Sequence, residues 1–151
     1  MRVVIQRVKT ARVDIPATGY SSEIGEGLLV LAAFTEDDTE PDLEWMARKI
    51  CALRVFDDAD GVMNISVRDT GGEVMVVSQF TLYASTVKGN RPSYIRAARP
   101  ETAVPLYERF CSCIEAGLGK PVGRGVFGAD MKVSLLNDGP VTIIIDSKIK
   151  E

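Results

Sequence analysis

With 151 residues, of which 46% are hydrophobic and 26% charged, the chain has the size and composition of one globular domain with one core. Its net charge of −3 excludes a protein that coats nucleic acid with a broad electropositive surface, so any RNA contact must be local and no DNA partner is expected. The longest apolar run, residues 28–34, is far shorter than the roughly 20 residues that span a bilayer, so we expect a cytoplasmic protein with no membrane partner.

The cysteine and histidine contents narrow the possible chemistry. The three cysteines, Cys51, Cys111 and Cys113, are odd in number and lie in segments with helical patterns, so we expect no disulfide framework. Histidine is absent, which excludes every site in which a histidine activates a serine or cysteine nucleophile. Because zinc favours His and Cys ligands, we also expect no metal and no other cofactor.

The first third of the chain predicts strands followed by a helix. Thr39 precedes Pro41 and Asp42, a combination that marks the start of a helix. Apolar residues then recur at helical spacing as far as Leu53, which predicts a helix of about 14 residues. Segments rich in Val, Ile and Leu predict strands at residues 1–8, 11–15, 22–24 and 27–35.

The remainder predicts a central strand, a second helix and a closing pair of strands. Residues 73–83 form an uninterrupted β-type run that follows two glycines, and residues 101–116 have an apolar helical face that Gly117 would end. Residues 131–136 and 141–146 read as strands that the turn-forming residues 137–140 join in a hairpin.

These elements predict an α/β fold. We expect residues 1–151 to form a single three-layer domain (β/β/α), in which two helices cover one face of packed β-sheets.

Two segments carry more specific groups than a core requires. Ser78, Gln79 and Thr81 place two hydroxyls and an amide around Phe80 at the end of an apolar strand, which fits either local hydrogen bonding or an ester-binding pocket. The glycine-rich residues 125–131 fit either a bend between strands or a surface on which an adenine ring stacks.

Two further features leave two interpretations open. The Gly139–Pro140 bond fits a trans turn or a cis bond, because X-Pro bonds adopt either isomer at small cost. Residues 88–99 form a basic stretch that also contains Tyr94. This stretch would be either a solvated loop or an edge that contacts phosphates. Its charged residues are Lys88, Arg91, Arg96 and Arg99.

Four motifs follow one another along the chain: MRVVIQRV at residues 1–8, SQFTLYA at 78–84, FGADM at 127–131 and NDGPVT at 137–142. Together they resemble the D-aminoacyl-tRNA deacylase family. The resemblance runs from end to end of the chain.

The resemblance implies a homodimer in which Gly139 and Pro140, held cis, enter the active site of the partner subunit. There, their fixed backbone would reject an L-amino acid by collision. Arg7 would support this filter. The catalytic pocket would be lined by Ser78, Gln79, Phe80 and Thr81, and the terminal adenosine would be flanked by Phe127, Gly128, Ala129 and Met131.

The implied activity is hydrolysis of the ester that links a D-amino acid, or glycine, to the 3′ end of a tRNA. With no histidine available, we expect the RNA to assist catalysis through its own 2′-hydroxyl. Alternative interpretations are a non-catalytic module that binds the tRNA 3′ end and a serine-dependent hydrolase of small esters. A third is a sister group that acts on L-alanyl esters.

Overall fold

The structure is a computed structural model that describes residues 1–151. Eight strands and three helices are present, together with a 3-10 turn over Phe80–Tyr83. The strands are β1 (Arg2–Ile15), β2 (Tyr20–Ile24), β3 (Gly27–Ala33), β4 (Arg54–Asp57), β5 (Met63–Ser66), β6 (Glu73–Ser78), β7 (Gly123–Arg124) and β8 (Lys132–Asp146). The helices are α1 (Glu40–Ala52), α2 (Val67–Thr70) and α3 (Pro100–Leu118).

The long strand β1 organises the main sheet. Its first half pairs antiparallel with β3 and its second half with β2, while β8 pairs antiparallel along both halves. Strand β3 pairs in parallel with β6, which pairs in parallel with β7, so the order is β2-β1-β3-β6-β7. The Tyr20 hydroxyl donates to the carbonyl oxygen of Arg124 at 2.8 Å and joins β2 to β7. The sheet therefore curls until its two ends meet.

Two apolar clusters occupy the two sides of this curled sheet. Val8, Val13, Leu29 and Met75 belong to the smaller cluster, which lies between the two halves of the sheet. The larger cluster lies between the sheet and helices α1 and α3, and includes Phe110. The expected α/β architecture, with two β layers and helices over one face, is confirmed.

Helix α1 begins where the sequence predicts. The backbone N–H of Thr39 donates to the Asp42 carboxylate at 2.9 Å, and Pro41 occupies the first turn. Helix α3 ends at Gly119, whose φ of 78° is the left-handed conformation typical of a helix stop. The prediction that Gly117 ends it is wrong, because Gly117 lies inside the helix, where an added Cβ would be 3.0 Å from the Cys51 sulfur.

Strand boundaries differ from the prediction in several places. Strand β1 is continuous where two strands were expected, and β6 ends at Ser78 instead of residue 83. The short helix α2 and the antiparallel pair β4–β5 were not predicted. All three cysteines are free, as expected. No helix combines the length and the apolar character that a membrane crossing requires.

The predicted hairpin at residues 137–140 is wrong. Asn137 pairs with Val8 and Thr142 with Gln6, so the segments on both sides of residues 138–141 pair with the same strand β1. The chain therefore continues in one direction and bulges opposite Arg7 instead of reversing. The interpretation of a trans turn is also wrong, because the Gly139–Pro140 bond is cis.

Candidate active site

A cleft of about 620 Å³ lies between the end of β6, the segment before α3 and residues 127–131. These segments are distant in the sequence, and the parallel pairing of β6 with β7 brings two of them together. The cleft is lined by Val77, Ser78, Gln79, Phe80, Tyr94, Ala97, Ala98, Arg99, Pro100, Phe127, Gly128, Ala129, Asp130, Met131 and Val133.

The first wall of the cleft is built where β6 gives way to the 3-10 turn. The backbone N–H of Gln79 donates to the carbonyl oxygen of Ala32 at 2.7 Å, which fixes the end of β6 against β3. The Gln79 side chain donates from Nε2 to the Thr81 hydroxyl oxygen at 2.5 Å. Phe80 is left 52% exposed, and its ring packs edge-on against Tyr94 with 5.1 Å between centroids.

The opposite wall is held to β6 by a buried tyrosine and a glycine. The Tyr107 hydroxyl donates to the carbonyl oxygen of Val76 at 2.8 Å, and the backbone N–H of Gly125 donates to the same oxygen at 3.1 Å. The Tyr107 and Phe127 rings lie 6.4 Å apart. Gly125 lies close to the Met131 side chain, because an added Cβ would be 2.6 Å from its sulfur and would require it to shift.

Burial keeps the groups behind this wall protonated. It raises the pKa of the Tyr107 hydroxyl well above its ordinary value, so this group remains a donor. Burial also raises the pKa of the Cys111 thiol to about 11, which removes it as a nucleophile near neutral pH.

The cleft contains few ionisable side chains. Those that line it are Tyr94, Arg99 and Asp130, and the last forms an ion pair with Lys132 at 3.0 Å. Because no lysine or histidine lines the cleft, Ser78 has no nitrogen base beside it. No group of three or more His, Cys, Asp or Glu side chains is arranged to hold a metal ion.

The rim of the cleft is basic where the segment before α3 passes. The backbone N–H of Arg99 donates to Glu36 at 2.7 Å, which anchors the end of this segment. The Arg96 guanidinium lies 5.5 Å from the centre of the Tyr83 ring. The four basic residues noted in the sequence are exposed. Of the four, Arg99 lines the cleft, and the other three belong to the same segment before α3.

The Gly139–Pro140 segment lies outside the cleft of its own chain. Both residues are exposed, yet the segment is anchored from below by Arg7, which is only 8% exposed. Arg7 donates from Nε to the carbonyl oxygen of Asp138 at 3.0 Å and from Nη1 to that of Val55 at 2.6 Å.

The structure thus brings together most of the residues that the sequence singled out. The cleft contains three residues of the 78–81 motif and all four residues expected at the adenosine, whereas Thr81 contacts it only through Gln79. Arg7, Gly139 and Pro140 form a separate group. The sequence missed the lining contributed by Val77, Ala97, Ala98, Pro100 and Val133.

Comparison with known proteins gives matches over the whole chain. The family model described as D-Tyr-tRNA(Tyr) deacylase matches residues 4–146. The D-aminoacyl-tRNA deacylase of Bacteroides thetaiotaomicron is 59% identical over 151 residues, and that of Dechloromonas aromatica is 62% identical over the same length. Each alignment covers 100% of both proteins.

Solved structures give the same fold. The c-Myc DNA Unwinding Element Binding Protein has a TM-score of 0.88 at 40% identity, covering 97% of this chain and 98% of that one. A probable eukaryotic D-amino acid tRNA deacylase has a TM-score of 0.82 at 19% identity, covering 95% of this chain and 97% of that one, and supports the fold alone. The family model and the full-length relatives show that this chain belongs to the D-aminoacyl-tRNA deacylase family, enzymes that hydrolyse D-aminoacyl-tRNA.

Proposed function

We propose that the protein is a cytoplasmic homodimer that removes D-amino acids and glycine from tRNA, and that it excludes L-amino acids with Gly139–Pro140 of the partner subunit. The observation that carries the proposal is the position of this dipeptide. It is exposed and firmly anchored by Arg7, but it does not line the cleft of its own chain. A dipeptide held in this way is suited to act on a second chain.

The exposed strand β8 supports the homodimer. It is 15 residues long and pairs with β1 on one side only, on both sides of its bulge. Its side chains Leu135, Leu136 and Ile144 are 40%, 59% and 69% exposed. Long apolar edge strands are avoided in monomers because they pair with other chains. A second copy of this chain would cover the strand and carry the Gly139–Pro140 segment towards another cleft.

The proposed selectivity works by exclusion. Two fixed backbone carbonyls beside the substrate α-carbon would collide with an L side chain, whereas a D side chain would point away from them. Glycine has only hydrogen at that position and would be accepted. Because this exclusion requires no specific contact with the D side chain, we expect D-tyrosyl, D-phenylalanyl and D-aspartyl esters to be hydrolysed at similar rates.

The proposed chemistry uses the RNA as its own catalyst. The 2′-hydroxyl of the terminal ribose lies next to the ester and would activate the attacking water. Water adds to the ester carbonyl carbon, and the bond from that carbon to the ribose oxygen breaks, which leaves the free amino acid and a tRNA 3′-hydroxyl. The backbone amides of Phe80 and Thr81 would stabilise the oxyanion, because amides at the start of a helical turn lack partners within it.

The terminal adenosine would lie against residues 127–131. Phe127 supplies an aromatic ring, and Gly128 and Ala129 are small enough for a base to approach the backbone. Phosphates of the RNA 3′ end would meet the basic rim that includes Arg99. In this arrangement Ser78, Gln79 and Phe80 surround the ester.

The direct test is hydrolysis of matched D-tyrosyl-, L-tyrosyl- and glycyl-tRNA by the purified protein, with and without EDTA. We expect rapid loss of the D-tyrosyl and glycyl esters, no loss of the L ester and no effect of EDTA. Binding of tRNA without turnover would instead favour a non-catalytic module. Equal turnover of a small ester without tRNA would favour a serine-dependent hydrolase. Hydrolysis of L-tyrosyl-tRNA, or of L-alanyl-tRNA, would contradict exclusion by Gly139–Pro140.

A further inference from the structure

A basic surface with one aromatic side chain lies on α1 and the start of β4, outside the active-site cleft. Trp45, Arg48, Lys49 and Arg54 line a shallow cleft of about 330 Å³ there. Lys150 reaches the same place from the end of the chain, with its ammonium 4.6 Å from the centre of the Trp45 ring. We name these five residues the α1 basic patch.

The cations of the α1 basic patch have no acidic partners. None of its four basic side chains forms an ion pair, whereas basic residues elsewhere do so, such as Arg12 with Asp14 and Glu23. The ammonium groups of Lys49 and Lys150 also share one ring, at 5.7 and 4.6 Å from its centre. In a chain with a net charge of −3, this is a local concentration of uncompensated positive charge that a bound anion would relieve.

The patch is linked to the Gly139–Pro140 segment through one buried side chain. Arg54 belongs to the patch, and the carbonyl oxygen of the next residue, Val55, accepts a hydrogen bond from Arg7 at 2.6 Å. Arg7 also donates to Asp138, the residue before Gly139, at 3.0 Å. The patch is therefore connected, through the backbone of Val55 and the side chain of Arg7, to the segment that, in the proposed function, enters the cleft of the partner subunit.

We propose that the α1 basic patch binds the phosphate backbone of the acceptor arm of the tRNA whose 3′ end occupies the cleft of the partner subunit. The proposal rests on the proposed function. Phosphates are the anions that this substrate presents in a continuous row, and lysine and arginine bind them without regard to base sequence. One chain thus holds the 3′ end within its cleft and basic rim, and the other holds the arm from which that end extends.

The test compares a long and a short substrate in the double variant Arg48→Gln/Lys49→Gln. The substrates are D-tyrosyl-tRNA and the D-tyrosyl ester of a trinucleotide with the same 3′ end, which lacks the acceptor arm. We expect KM for the tRNA to rise about tenfold and the slope of log KM against log salt to fall by about 1 for each lost phosphate contact. KM and kcat for the trinucleotide are expected to stay unchanged, which also shows that the variant is folded.

A matched control is Arg68→Gln/Lys120→Gln, which removes two positive charges that lie outside the patch and, like those of the patch, form no ion pair. Its KM for tRNA should stay within about twofold of wild type, since surface charges that touch no phosphate contribute little. If the patch variant leaves KM for tRNA unchanged while wild type turns over both substrates, the patch proposal is wrong. Absence of turnover of either substrate by wild type would overturn the proposed function instead.

Trp45 is the only tryptophan and provides a second readout that does not depend on turnover. Uncharged tRNA should change its fluorescence with a midpoint that shifts to higher tRNA concentration in the Arg48→Gln/Lys49→Gln variant. The uncharged trinucleotide should leave the emission unchanged. An emission that stays constant while uncharged tRNA inhibits turnover to completion would overturn the patch proposal.

Discussion

Arg7 donates from Nε to the carbonyl oxygen of Asp138 at 3.0 Å, and this bond ties the bulge of β8 to the middle of β1. The same guanidinium contacts the carboxylates of Asp57 at 3.6 Å and Asp138 at 3.5 Å. Because Arg7 is almost fully buried, it connects the exposed Gly139–Pro140 segment to the sheet without being exposed itself.

The variant Arg7→Lys should lose discrimination between D and L substrates. Lysine keeps the charge but cannot reach two carbonyl oxygens in a fixed geometry. Loss of a hydrogen bond from a charged donor, roughly 1.5–3 kcal/mol, would let the segment move and lower the ratio of kcat/KM for D- and L-tyrosyl-tRNA about tenfold or more. Arg12→Lys, at a half-buried position in the second half of the same strand, is the control. An unchanged ratio in Arg7→Lys would show that Arg7 does not position the segment.

Substitution of Gly125 should disturb the cleft from behind. In Gly125→Ala the new Cβ would be 2.6 Å from the Met131 sulfur, so the Met131 side chain, which lines the cleft, must shift. Moving a flexible side chain costs less than moving backbone, so we expect a loss of unfolding free energy of about 1–3 kcal/mol. KM for D-tyrosyl-tRNA should rise several-fold, while Val126→Ala, at an exposed neighbouring position, should not change it. An unaltered KM in Gly125→Ala would argue against binding of the adenosine beside Met131.

The 2′-hydroxyl of the substrate should matter more than the hydroxyl of Thr81. Thr81 accepts a hydrogen bond from Gln79 and has no base beside it, so Thr81→Ala should lose far less than the roughly 100-fold that an acid–base group contributes. A substrate with a 2′-deoxy terminal adenosine should lose about 100-fold or more in single-turnover hydrolysis. The reverse order of effects would indicate a protein nucleophile.

Stability should depend on Asp42 in a pH-dependent way. Burial acts to raise the pKa of Asp42, but hydrogen bonds from Lys148 and Thr39 outweigh it and hold the pKa well below the usual aspartate range. A depressed pKa stabilises the folded state above the unfolded pKa of about 3.9, and this contribution is lost as pH falls below that value. Asp42→Asn should therefore lower the unfolding free energy by about 1–3 kcal/mol at pH 7 and by less at pH 3. Urea unfolding at both pH values measures the difference, and equal losses would contradict the assigned pKa.

The sequence correctly predicted the elements whose boundaries depend on residues that are neighbours along the chain. The start of α1 depends on Thr39, Pro41 and Asp42, which are close together, and its position was predicted correctly. The turn-forming residues 137–140 led to the wrong prediction of a hairpin. The choice between a hairpin and a bulge depends on which distant strand pairs with the flanking segments. Both flanks pair with β1, and no short-range pattern contains that information.

In the candidate site, too, the features that depend on nearby residues were predicted and those that depend on distant pairing were not. Polar groups at the end of β6 and the glycines around Phe127 were recognised from composition. Their union in one cleft depends on the parallel pairing of β6 with β7 and on Tyr107, which the sequence alone identified only as part of an apolar helix face. The end of β6 at Ser78 has no glycine or proline to mark it, so the β-type composition extended the predicted strand too far.

In the proposed function, Gly139–Pro140 of one chain acts in the cleft of the other, and mixed dimers test this exchange. Gly139→Ala should displace the segment and abolish rejection of L substrates. The φ angle of 126° at this position favours glycine, and an added Cβ would be 3.0–3.1 Å from Val141 and Arg7. Ala129→Trp should block the cleft with a large ring.

The measurement is hydrolysis of D- and L-tyrosyl-tRNA by the purified mixed dimer of a Gly139→Ala chain and an Ala129→Trp chain. The open cleft belongs to the Gly139→Ala chain but meets the intact segment of the other chain. We therefore expect hydrolysis of the D ester and rejection of the L ester, although the Gly139→Ala homodimer hydrolyses both. Hydrolysis of the L ester by the mixed dimer, at half the rate of that homodimer, would mean that the segment acts within its own chain and would contradict its action in the partner's cleft.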